Sequence, residues 1–202
     1  MLASVIIERV KELNDVSVAF FYFAHGDPER DKFVPMARAI LSQLLTQDAS
    51  LLLHCENMST SSGQAVLSSR DLAKELLDTA LRSRKTYLIL DGIDECARDS
   101  RKEICTWFRS FADSLPTTKQ DEIRCLFVSQ DDGFARKDLS MLPTLKIGEN
   151  EMRGDISEYA LHWQQRIEGR FGPLQDRGLE LAKLVTDRSQ GELGQEERWR
   201  VS

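Results

Sequence analysis

The chain has 202 residues, 41% hydrophobic and 30% charged, with 27 Lys plus Arg against 33 Asp plus Glu and a formal charge of −6. At roughly 100–200 residues per domain this is one domain or one with a short appendage. The apolar share excludes global disorder, and the scattered basic residues exclude an electrostatic footprint for nucleic acid. The longest apolar stretches, such as Val18 to Phe23, fall far below the ~20 residues that cross a bilayer. Glu8 and Arg9 interrupt the first apolar run too early for a signal peptide, so an intracellular, cytoplasmic protein is expected.

Residues 1–14 place Leu2, Val5, Ile6, Val10 and Leu13 on one helical face, with Glu8, Arg9, Lys11 and Glu12 largely on the other. Val16 to Phe23 is β-branched and aromatic between two turn signals, Asn14-Asp15 and His25-Gly26-Asp27-Pro28, which predicts a strand covered on both faces. Asp31 to Leu45 returns to helical spacing. Ala49 to Ser69 loses periodicity and ends in a Ser/Thr/Gly cluster, the pattern of a surface loop or frayed helix. Arg70 to Arg84 reads as a helix capped by Ser69, and Thr86 to Leu90 as a buried strand.

A further helix is marked by Ile104, Trp107, Phe108 and Phe111 and stops before Pro116, and Ile123 to Ser129 is another apolar strand. Leu145 to Ile147 is expected as a short last strand, and residues 153–171 and 176–188 as two more helices. Residues 1–188 then form the core, and the polar run 189–202 is an expected disordered tail. Helices alternating with buried strands imply an α/β fold: a three-layer parallel sheet with helices on both faces. In such sheets ligands bind outside the carboxyl ends of the strands.

Cys55, Cys96, Cys105 and Cys125 form no C-x-x-C pair, and His25, His54 and His162 are widely separated, so no structural zinc pattern exists. The cysteines are expected reduced and partly buried. Phe20 to Phe23 resembles a base-stacking platform only superficially, because no basic groove surrounds it. Nothing has the arrangement of a Ser-His-Asp or Cys-His catalytic pair.

The sharpest chemical feature is Thr86-Tyr87-Leu88-Ile89-Leu90-Asp91-Gly92-Ile93-Asp94-Glu95-Cys96, a buried strand running into three carboxylates within five positions. Such a cluster is costly unless something positive meets it or water solvates it. A strand tip offers Asp91 to a hydrated Mg²⁺, with Asp94 and Glu95 aimed at a water near a γ-phosphate. The plainer alternative is a solvated acidic turn.

This string resembles the extended Walker B motif of NACHT-class STAND P-loop NTPases, especially the nephrocystin-3-like N-terminal domain as found in filamentous fungi. Val18 to Phe23 is similar to that family's strand after the first helix, Ala39 to Leu45 to the helix that follows, and Cys125 to Gln130 to its sensor 1 strand. Asp155-Ile156-Ser157-Glu158-Tyr159 is similar to the Asp-Ile-x-x-Tyr after the last core strand. The resemblance implies a P-loop NTPase-like fold, with Asp91 holding Mg²⁺, Asp94 or Glu95 positioning the attacking water, and Ser129 and Gln130 sensing the γ-phosphate of ATP. It also implies a nucleotide switch that controls oligomerisation, with ATP and full-length relatives or further copies as partners.

The sequence departs from that pattern twice. Family members carry a Gly-rich Walker A loop before a helix beginning x-Leu-Ala-Ser, and this chain starts Met1-Leu2-Ala3-Ser4. By that alignment the first strand and phosphate loop are missing. Charge-assisted hydrogen bonds contribute about 1.5–3 kcal/mol each, so losing three or four removes ~5–10 kcal/mol from a micromolar ligand's total of about 8. Very weak ATP binding by this chain alone is expected. At sensor 1, Ser129-Gln130 stands where the family often has Ser-Arg, and an uncharged amide cannot neutralise developing charge. Two other readings stand beside the truncated ATPase core: a non-catalytic module that associates through exposed sheet edges, and an incomplete gene product.

Overall fold

The computed structural model describes residues 2–130, 133–140, 142–172 and 183–186. The helix expected at 176–188 lies outside them apart from 183–186, which are helical, and so does the tail at 189–202. The chain divides into two compact units, Met1–Leu142 and Pro143–Ser202.

The first unit runs α1 (Leu2–Lys11), β1 (Ser17–Tyr22), α2 (Phe33–Gln47), α3 (Ser50–Ser62), α4 (Arg70–Ser83), β2 (Thr86–Asp91), α5 (Arg98–Ser114), β3 (Ile123–Val128) and α6 (Gly133–Asp138). The three strands form one parallel sheet in the order β1-β2-β3. The register sets Tyr22 opposite Asp91 and Asp91 opposite Val128.

Alternation along the strands divides the side chains between two faces. Ala19, Phe21 and Phe23 of the β1 segment and Leu88 and Leu90 of β2 join the main core with α2, α4 and α5, whereas Val18 and Ile89 pack against Ala3 and Ile7 of α1. Helices on both faces of a parallel sheet make this the expected three-layer α/β architecture, compatible with a P-loop-like fold. In α2, Phe33, Met36, Ala37, Ile40, Leu41 and Leu44 are all buried, the full apolar stripe of a 3.6-residue period. On α5, Trp107 stacks on Phe111 and meets Phe33 and Phe108 edge-on, a packing face as the aromatic spacing predicts.

One expectation is resolved and another fails. Within Ala49 to Ser69, read as a surface loop or a frayed helix, residues Ser50–Ser62 form the helix α3, which ends where Gly63 (φ 66°) donates its N–H to the carbonyls of Ser59 and Thr60. Its stripe was hard to see because it is short: Leu51 is buried, and only Cys55 and Met58 add to it. Leu145–Ile147 is not a strand. No strand pairs with it among the described residues, and Leu145 is 88% exposed. Alternation over three residues is too short to specify a strand, which usually runs about five or six residues. In the second unit the helix predicted over 153–171 begins earlier, as α7 (Glu149–Phe171).

Candidate functional site

β2 is the middle strand, with Leu88, Ile89 and Leu90 buried, so its carboxyl end opens at the centre of the sheet edge. Asp91 is its last residue and is half-buried. Burial raises the pKa of its carboxyl above the ordinary carboxylate value, and the neighbouring Asp94 charge acts in the same direction, while the nearby Gly92 N–H dipole opposes both. The chain then reverses at Gly92, whose φ of 75° lies in the left-handed region. Its N–H donates to the Val128 carbonyl at 2.9 Å, and its carbonyl accepts from the Glu95 N–H at 2.8 Å.

A single 3₁₀ turn, Ile93–Glu95, follows, with Ile93 fully buried as its anchor. The two flanking carboxylates diverge. Asp94 accepts a hydrogen bond from the Gln130 backbone N–H at 3.1 Å, just past β3, and Glu95 accepts one from the His25 N–H at 3.0 Å, just past β1. The acidic turn therefore ties the ends of both outer strands to the middle one. Ser129 donates its hydroxyl to the Gln130 carbonyl at 2.7 Å.

All five residues singled out by the sequence thus lie at the carboxyl ends of neighbouring strands, and Asp94 and Gln130 are in direct contact. Among the described residues no group of three or more His, Cys, Asp or Glu side chains is placed to hold a metal ion. A lone hard carboxylate oxygen still suits Mg²⁺, which takes one or two protein carboxylates and fills its other positions with water and phosphate. Asp91, half-buried with a raised pKa, has the donor chemistry for that role.

Several contributors escape a reading of the sequence. Arg101 is 3% exposed in α5, and its Nε donates to Asp138 Oδ2 at 3.0 Å, while Arg109 donates to the Asp138 carbonyl. These contacts hold α6, and with it Arg136 and Lys137, against α5. Only the placement of Arg101 among buried apolar positions of α5 hinted at it. The thiols supply no nucleophile here: burial foremost, then the Asp31 charge, pushes Cys96 up to about 12, and burial pushes Cys105 up to about 11.

The fold is a three-layer α/β domain with acidic and polar residues gathered at the carboxyl ends of adjacent parallel strands. A family model described as nephrocystin 3, N-terminal, matches residues 1–130, from α1 past the end of β3. The chain belongs to the nephrocystin 3 N-terminal family. Comparison with curated proteins finds no match. No helix among the described residues is long and apolar enough to cross a membrane.

Proposed function

We propose that this chain is a nucleotide-binding core of the NACHT-type STAND class, working in the cytoplasm as part of an ATP-dependent signalling switch. The observation that carries this reading is the convergence of Asp91, Asp94, Glu95, Ser129 and Gln130 at the ends of β2 and β3, with Asp94 bonded to the Gln130 amide. In this reading Asp91 holds Mg²⁺, Asp94 or Glu95 orients a water, and Ser129 and Gln130 face the terminal phosphate. Bound Mg·ATP supplies the scissile phosphoanhydride and its charge neutralisation. Asp94 Oδ2 and Glu95 Oε1 are the carboxylate oxygens left over from the backbone bonds described above.

The 202 residues contain no Gly-x-x-x-x-Gly-Lys-Ser/Thr, so the chain by itself holds a phosphate group weakly. Calorimetric titration of the chain with Mg·ATP is expected to give a dissociation constant weaker than about 100 μM, worth less than about 5.5 kcal/mol. Joined behind a strand and loop bearing Gly-x-x-x-x-Gly-Lys-Ser/Thr, it is expected to gain Mg-dependent ATP turnover that Asp91→Ala abolishes. Turnover unchanged by Asp91→Ala would remove the magnesium assignment.

The open outer edge of β3 favours a second reading, an interaction module. Because the Val128 carbonyl bonds to β2, alternation turns the N–H and C=O groups of Cys125 and Phe127 outward, and no described residue hydrogen-bonds them. A second copy of the chain is the occupant this reading assigns to that edge. Light scattering that shows only monomer, with the Cys125 and Phe127 amides protected from exchange, would eliminate it.

A further inference from the structure

The opposite edge of the sheet is finished differently. The Ser17 N–H bonds to the Lys85 carbonyl and the Phe23 N–H to the Asp91 carbonyl, so the odd-numbered residues of β1 face β2. Val18, Phe20 and Tyr22 therefore turn their backbone groups outward. Two glutamines of α2 meet the first two of these. Gln47 Oε1 accepts from the Val18 N–H at 2.9 Å while its Nε2 donates to the Val18 carbonyl at 2.7 Å. Gln43 does the same at Phe20, accepting at 3.0 Å and donating at 2.8 Å.

Each amide group thus presents one acceptor and one donor to one residue, which is what a neighbouring strand presents. The spacing matches. Four helical residues advance ~6 Å, and two residues of a parallel strand advance ~6.6 Å, so an i, i+4 pair reaches successive outward peptide units. The second hydrogen of each Nε2 returns to α2, to the Ala39 carbonyl from Gln43 and to the Gln43 carbonyl from Gln47, which fixes both side chains. The next position up the helix is Ala39, and the pairing stops there, below Tyr22.

We propose that Gln43 and Gln47 form a side-chain surrogate of a β-strand that closes β1 to strand addition by a second copy of this chain. Edge strands are ordinarily protected by charges, bulges or covering loops. Here two carboxamides occupy the backbone groups of Val18 and Phe20 themselves, whereas among the described residues nothing does so at Cys125 and Phe127 of β3.

The test uses glutamate, because a protonated carboxyl has one donor and one acceptor like the amide, and a carboxylate has acceptors only. In Gln43→Glu and Gln47→Glu at pH 7 a carboxylate oxygen faces the strand carbonyl with no hydrogen between them, and this repulsion displaces the side chain, so exchange protection of the facing amide, Phe20 or Val18 respectively, is expected to fall at least tenfold relative to wild type. It is expected to return to within about threefold near pH 4, as the carboxyl regains its proton. Gln43→Ala/Gln47→Ala is expected to lose protection at both pH values and to self-associate in light scattering. Wild-type protection in the alanine pair, or a glutamate effect that does not change with pH, would overturn the proposal. The single glutamate variants keep the test open if the alanine pair does not fold.

Discussion

β1 and β3 flank the same strand in the same parallel register, yet among the described residues only β1 has outward backbone groups met by side chains. β1 carries buried residues on both faces and has the outward backbone groups of Val18 and Phe20 taken by Gln47 and Gln43. β3 has no fully buried residue, exposes Leu126 on the α1 face of the sheet, and leaves Cys125 and Phe127 without backbone partners among the described residues. The difference teaches that burial and edge protection come together: α2 covers β1 and supplies its surrogate partners in one helix.

The largest expected effect strikes what the two edges share. Leu88→Ala, at a fully buried position of β2, is expected to cost about 2–5 kcal/mol and to lower exchange protection in β1 and β3 together in urea titration with amide exchange. Loss confined to one outer strand would show that the sheet does not unfold as a unit.

A pair of prolines sharpens the contrast within β3. Leu126 points its N–H at β2, and Cys125 points its N–H away. Leu126→Pro removes a ladder bond and is expected to cost about 3 kcal/mol or more, while Cys125→Pro is expected to cost less than half as much and to suppress any self-association through β3. Equal destabilisation of the two by chemical denaturation would contradict the edge geometry.

The acidic turn separates the edges at a smaller scale. Asp94→Ala is expected to loosen the Gln130 end and Glu95→Ala the His25 end, each by about 1 kcal/mol after allowance for partial exposure. Exchange at the two amides reports which link was cut.

The smallest effect is electrostatic. The Asp91 carboxyl holds its proton to higher pH in the folded chain than in the unfolded one, so the folded state binds more protons and stability falls as pH rises from about 4. Asp91→Asn removes that loss. It is expected to be more stable than wild type at pH 7 and to lose the advantage near pH 3, as thermal melts at the two pH values will register. A variant less stable than wild type at pH 7 would mean that the Asp91 carboxylate has a partner that stabilises it.

Much of the fold was legible because period and burial coincide. The stripe from Phe33 to Leu44 and the run from Thr86 to Leu90 each carry enough apolar side chains for one period to dominate. The stripe Leu51, Cys55, Met58 is too sparse for that, and Leu145–Ile147 is too short for its alternation to decide a strand. At the site, the carboxylates after β2 announced themselves by their cost in an apolar context. Gln130, 36 positions from Asp94, is marked as a sensor residue by resemblance, whereas His25, 70 positions from Glu95, has no local signature as a partner.

The sequence by itself determined the element types apart from α3 and the segment Leu145–Ile147, together with the parallel three-layer α/β class, the carboxyl-end location of the acidic motif and the family to which the chain belongs. These follow from local periodicity and from a motif read residue by residue. Tertiary structure alone decided that Gln43 and Gln47 close one edge, that Asp94 and Glu95 diverge to opposite strands, and that Arg101 is buried against Asp138. Polar side chains have no period to betray their partners. Where a glutamine or a carboxylate ends up depends on which distant backbone groups the packed layers leave unsatisfied.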